Sequence, residues 1–92
     1  DDRKLYVLSR GCVLRKDGRM LYAGGESIPL DEVYVCKSLY ETKVYLIVKR
    51  SRKYAVVRDD GTFASDFKFT FQQARQFVDI QFEGRTIVGK MV

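Results

Sequence analysis

The sequence predicts an α+β fold that is mainly β: antiparallel hairpins in a meander, with one helix at about residues 71–82 in the C-terminal half, packed on the sheet. Three observations carry this. Short runs rich in Val, Ile, Leu and Tyr recur along the chain, the residue types that suit a pleated, half-buried surface. Asp17-Gly18 and Asp60-Gly61 punctuate those runs with the chemistry of tight hairpin turns. One stretch alone spaces its apolar residues for a helix: Phe71, Ala74, Phe77, Val78 and Phe82 fall on one stripe.

Ninety-two residues suit a single domain with a modest core. A chain 46% hydrophobic and 32% charged has the composition of a folded globular protein, not of a disordered one. The longest uncharged apolar run, residues 44–48, is far too short to span a bilayer, so no membrane insertion is expected. The chain begins Asp1-Asp2-Arg3-Lys4 without Met and without a signal-peptide pattern, which reads as an excised domain or a processed chain. Two cysteines and no His cannot build a tetrahedral zinc site within one chain. Ser-His and Cys-His nucleophile pairs are ruled out as well. The chain is therefore expected not to be an enzyme, with no catalytic residue, metal or cofactor assigned. Cys12 and Cys36 each fall in an expected strand and read as buried free thiols, a Cys12–Cys36 disulfide being the alternative.

Residues 5–14 (LYVLSRGCVL) alternate imperfectly, and Gly11 marks a bulge or sharp bend. Lys16-Asp17-Gly18-Arg19 predicts a type I′ turn leading to a return strand at 20–22. Gly24-Gly25-Glu26-Ser27 breaks the pattern. Pro29 has no N–H for a ladder, so residues 27–32 are expected to form a connection or one helical turn, not a central strand. Residues 33–39 (VYVCKSL) read as a strand, and Tyr40-Glu41-Thr42-Lys43 turns the chain.

Residues 43–58 (KVYLIVKRSRKYAVVR) are the segment around which the rest is organised. Strands at 44–49 and 54–58 flank a basic tip, Arg50-Ser51-Arg52-Lys53. An even-numbered tip pairs 49 with 54, 47 with 56 and 45 with 58; an odd one would slip the register by one. The even register puts Val44, Leu46, Val48, Ala55 and Val57 on a wholly apolar face. The opposite face carries Tyr45, Ile47, Lys49, Tyr54, Val56 and Arg58. Extending the register to the preceding strand sets Tyr34 opposite Lys49, Cys36 opposite Ile47 and Ser38 opposite Tyr45. A row Tyr34–Lys49–Tyr54 then crosses the sheet. The same register points Lys37 toward the apolar face, which requires a bulge or snorkelling at the sheet end. Lys43, Lys49, Arg50, Arg52, Lys53 and Arg58 give this segment six cations and no acid. The chain as a whole is only +5, so everything outside the segment is about neutral.

Asp59-Asp60-Gly61-Thr62 is a second turn, and residues 63–69, with three phenylalanines, lack a clear period. Thr70-Phe71-Gln72-Gln73 fits a capping box, with Gly84 placed to end the helix. The helix is expected to cover the apolar face of the hairpin. Residues 85–92 have the makings of a final strand or of a frayed end.

Val13-Leu14-Arg15-Lys16-Asp17-Gly18 is echoed 43 residues later by Val56-Val57-Arg58-Asp59-Asp60-Gly61, so the single domain can be read as two degenerate repeats of about forty residues. Residues 53–62 (KYAVVRDDGT) resemble the core of WG repeats, with Tyr54-Ala55 where that family has Trp-Gly. Residues 28–33 (IPLDEV) are similar to the Ile-Pro stretch that follows its turn. The resemblance implies a β-rich module of larger bacterial proteins, used for binding rather than catalysis. Residues 33–82 are also similar, in element order alone, to the three-stranded sheet plus helix of integrase-arm-type DNA-binding domains.

Two functions follow from the basic, aromatic hairpin. The first is a non-enzymatic interaction domain binding the acidic surface of a protein partner through Lys49, Arg50, Arg52, Lys53, Tyr34, Tyr54 and Arg58. The alternative is a DNA- or RNA-binding module in which the same cations meet phosphates and the tyrosines stack on bases. Against both stands an exposed tip whose charge merely keeps it solvated. The paired acids Asp31-Glu32 and Asp59-Asp60 do not read as catalytic carboxylates. Neighbouring residues point apart, and the second pair is turn chemistry.

Overall fold

The computed structural model describes residues 5–9, 12–15, 20–23, 26–38, 44–59, 61–83 and 86–90, with side chains from residue 27 onward. Gly11, the Asp17-Gly18 turn, Gly24-Gly25, Tyr40-Glu41-Thr42-Lys43, Asp60 and Gly84 lie outside them. Within them the fold is α+β and mainly β: two four-stranded antiparallel sheets and one helix.

The first sheet is a meander of β1 (Leu5–Ser9), β2 (Cys12–Arg15), β3 (Met20–Ala23) and β4 (Glu26–Pro29). Leu5–Ser9 and Cys12–Arg15 are thus two antiparallel strands instead of one, with Val7 opposite Val13 and an irregularity before Ser9. Residues 26–29 form a strand rather than a connection or a helical turn, with Leu21 opposite Ile28. Pro29 is tolerated because β4 is an edge strand and Pro29 its last residue.

The second sheet contains β5 (Glu32–Ser38), β6 (Val44–Arg50), β7 (Lys53–Arg58) and β8 (Thr86–Lys90) in the order β7-β6-β5-β8. The β6–β7 register is the even one: Lys49 faces Tyr54, Ile47 faces Val56 and Tyr45 faces Arg58. The β5–β6 register differs from the expectation by two residues. Tyr34 lies opposite Ile47, Cys36 opposite Tyr45, and Glu32, not Tyr34, opposite Lys49. A shift of two keeps every side chain on its face and changes only its neighbours. Lys37 stays on the side of the apolar face but falls at the sheet end, opposite Val44, where it is exposed.

The helix α1 (Phe71–Gln81) starts where the capping box puts it. Thr70 Oγ1 accepts from Gln73 N at 3.1 Å, and Gln73 Oε1 accepts from Thr70 N at 3.0 Å. Its position departs from the expectation. Ala74 and Val78 pack on Ile47, Val56 and Cys36, with Tyr34, Tyr45, Tyr54 and Val88 around them, so the helix covers the aromatic face. The apolar face is covered from the other side. There Leu46, Val48, Ala55 and Val57 join Val33 and Leu30, with Ile28, Val35, Phe63 and Phe67 against them. The physical reason lies at the centre of the aromatic face. Ile47 and Val56 are as apolar as anything opposite, and two small helix residues fit over them while the rings close the margins. Both faces of the hairpin are therefore buried, and Leu46-Ile47-Val48 and Ala55-Val56-Val57 are all fully inaccessible. After α1 the chain adds β8 beside β5, with Cys36 opposite Val88.

Cys36 is a free, buried thiol, so it makes no disulfide with Cys12, and burial pushes its pKa up to about 12. Among the described residues no helix is long and apolar enough to cross a membrane.

Candidate functional site

The β6–β7 connection is the shortest a hairpin allows. Arg50 pairs with Lys53, leaving Ser51 and Arg52 as the two turn residues. The type I′ form of such a loop takes positive φ at both positions so that its twist matches the strands, and its usual sequence is Asn-Gly. Here Ser51 has φ 52° and Arg52 φ 71°, the left-handed region that L side chains disfavour. Asp31 helps to hold the turn: Asp31 Oδ2 accepts from Ser51 N at 3.1 Å, and Asp31 N donates to Lys49 O at 2.8 Å. Arg50, Arg52 and Lys53 radiate from this turn. All three are exposed, and their side chains make no hydrogen bond, ion pair or ring contact with the described residues.

One residue in from the tip, Lys49 is no longer free. Its Nζ donates to Glu32 Oε2 at 3.2 Å and lies 5.8 Å from the centre of the Tyr54 ring. Glu32 Oε1 accepts from the Tyr34 hydroxyl at 2.6 Å. That hydrogen bond, with Lys49 adding to it, holds the Glu32 carboxyl below its ordinary pKa. The same bond, together with burial, pushes the Tyr34 hydroxyl up to about 12, and Glu32 raises Lys49 in turn. Lys90 on β8 closes the group, its Nζ 5.9 Å from the centre of the Tyr34 ring.

The tyrosines belong to the core margin. Phe71, the first residue of α1, sits 4.6 Å from the Tyr34 ring and 5.5 Å from Tyr54, and the two tyrosine rings are 6.5 Å apart. Both tyrosines are half-buried, their rings tilted or edge-on to Phe71. Arg58 lies five residues along β7 from Lys53, about 17 Å away at strand rise. There its guanidinium donates to Thr62 Oγ1 at 3.2 Å and to Phe63 O at 3.1 Å. A half-open cleft of about 200 Å³ lies beside it, lined by Val44, Tyr45, Arg58 and Asp59.

The structure thus divides the seven residues singled out from sequence. Arg50, Arg52 and Lys53 form an exposed cationic tip; Lys49, Tyr34 and Tyr54 form a tied group behind it; Arg58 stands apart. Sequence reasoning missed Asp31 and Glu32 as the tip's own anchors, and Lys90, which reaches Tyr34 only because β8 lies beside β5. Periodicity carries no signal for that last juxtaposition, since it depends on where a crossover lands. The chain matches no family model, no curated protein and no solved structure.

Proposed function

We propose that this chain is a non-enzymatic interaction domain that binds an acidic surface of a protein partner through the tip of the β6–β7 hairpin. The observation that supports this is the state of Arg50, Arg52 and Lys53. Three exposed cations, unpaired among the described residues, stand on a two-residue turn whose backbone is left-handed at both Ser51 and Arg52. Backbone cost of that kind persists where the surroundings hold it, and it is concentrated at sites that work. Arg50, Arg52 and Lys53 make the contacts, and Lys49 supports them from behind. Tyr34 and Tyr54 position the turn's base instead of touching the partner. The WG-repeat-like character of residues 53–62 belongs to the same proposal, as a binding module within a larger protein. A two-copy arrangement is supported by the way each echoed segment runs from a strand into an antiparallel return, β2 into β3 and Val57 against Phe63.

Binding to polyglutamate and to random-sequence oligonucleotides, each titrated with salt, tests this. The proposal expects polyglutamate to bind and weaken with salt, and oligonucleotides to show no measurable binding. A steep log–log salt slope with oligonucleotides would instead assign the tip to phosphates. Absence of binding to both would reject the tip as a site.

A further inference from the structure

The chain treats the two edges of the second sheet differently. At β7 the outward N–H groups of Tyr54, Val56 and Arg58 donate to Phe69 O at 2.9 Å, Ser65 Oγ at 2.9 Å and Thr62 O at 2.8 Å. Their carbonyls accept from Phe69 N, Ala64 N and Gly61 N at 3.1, 2.8 and 3.0 Å. That edge is sealed by residues 61–69. Across an antiparallel ladder each residue turns its N–H and C=O to one side, and the side alternates along the strand. Since Tyr54 faces away from β6, its partner Lys49 faces β5, and Glu32, Tyr34 and Cys36 face β6. Val35 and Lys37 then face β8, which leaves Thr86, Val88 and Lys90 turned outward. Their backbone groups have no partner among the described residues.

The side chains along this open edge are complementary to themselves. Ile87 is 58% exposed on the face away from α1, although most large apolar residues are covered. Two residues on, on the same face, Gly89 leaves a notch in which an added Cβ would meet nothing within 4 Å. On the helix face, the Thr86 hydroxyl donates to Asp79 Oδ1 at 2.6 Å, while Lys90 ends the strand with its ammonium near the Tyr34 ring.

We infer that β8 pairs antiparallel with β8 of a second copy of this chain, about a two-fold axis through Val88, giving one continuous eight-stranded sheet. In that register Ile87 of each copy lies opposite Gly89 of the other, a large side chain over a notch, twice. Lys90 lies opposite Thr86 of the second copy, and its ammonium reaches the Asp79 carboxylate that Thr86 holds, again twice. The contact is isologous and closes on itself. Sliding the pair by two residues sets Ile87 against Ile87 or Gly89 against Gly89 and loses both complementarities. An acidic strand from another protein fits less well, because Asp79 would face its carboxylates. The two hairpin tips fall at opposite ends of the joined sheet, so this pairing leaves tip binding free and does not depend on it.

Sedimentation of the full chain over a wide concentration range tests the pairing. The parent is expected to double in mass as concentration rises. Gly89→Lys, whose side chain enters open space in the single chain, is expected to keep the parent's circular dichroism and melting temperature yet remain a single chain throughout. Lys90→Glu is expected to weaken the dimer several-fold, and adding Asp79→Lys to restore it, a recovery that simple loss of stability would not produce. A parent that stays a single chain at every concentration, whether the edge is empty or serves a foreign strand, overturns the inference. So does a Gly89→Lys variant that dimerises as readily as the parent.

Discussion

Tyr54→Ala is expected to behave as a core truncation, with the cost set by how much of the ring the helix covers. Tyr54 is half-buried against the first turn of α1, its ring edge-on to Phe71 at 5.5 Å and 6.5 Å from Tyr34. Truncating a fully buried aromatic costs about 3–5 kcal/mol. Partial exposure puts this position at about 2–3 kcal/mol, including the loss of ring pairs worth about 0.5–1.5 kcal/mol each. For a domain of this size each kcal/mol moves the midpoint by about 4–8 °C, so the melting temperature should fall by about 8–24 °C. Tyr54→Phe keeps the ring and is expected to cost less than about 1.5 kcal/mol. Thermal and urea unfolding followed by circular dichroism read both. A Tyr54→Ala protein melting within about 2 °C of the parent would mean that the ring is not held under the helix, and that the aromatic face is open after all.

Three further outcomes follow from the same geometry. The Glu32 pKa is lowered by folding, so its contribution is fully present above the ordinary carboxylate pKa and is lost as pH falls through the lower folded value. The stability gap between the parent and Glu32→Gln should therefore be widest near neutral pH and close in acid, and a gap unchanged by acid would refute the Tyr34–Glu32–Lys49 arrangement. Cys36 is fully inaccessible with its pKa pushed up to about 12, so a thiol reagent at neutral pH should modify it only at the rate of unfolding; rapid modification of the native protein at Cys36 would contradict its burial. Arg52→Gly relieves a left-handed side-chain residue and should stabilise the fold by about 0.5–1 kcal/mol in urea unfolding while weakening acidic-partner binding, whereas a loss of stability would show that the turn is not strained.

The elements were legible in the sequence wherever a local rule decides them. The capping box fixes Thr70 and the start of α1, and an even-numbered tip fixes which residues share each face of β6 and β7. What local rules leave open is which face the helix takes. The consecutive apolar runs Leu46-Ile47-Val48 and Ala55-Val56-Val57 were the available signal, because strands buried on both sides lose their alternation. The tyrosines and cations of that face stand at its margins, around an apolar centre, Ile47 and Val56, on which Ala74 and Val78 settle. The β5–β6 register differs from the expected one by two because the sequence between them, with no Asn-Gly or Asp-Gly pair, does not specify a loop length, and a slip of two leaves hydrophobic patterning unchanged. Of the site, Arg50, Arg52 and Lys53 were legible from composition at a tip. Glu32, Asp31 and Lys90 were not, since their approach depends on that register and on β8.

The central claim, that the hairpin tip steers an acidic partner, is tested most directly by the association rate of the Arg50→Ser, Arg52→Ser, Lys53→Ser variant with polyglutamate at low and high salt. These side chains pack against nothing described, so each change should cost about half a kcal/mol or less and leave the fold intact. The variant is expected to associate markedly more slowly than the parent at low salt, with the difference shrinking as salt screens the parent's advantage. A folded variant that associates as fast as the parent at low salt would contradict the account.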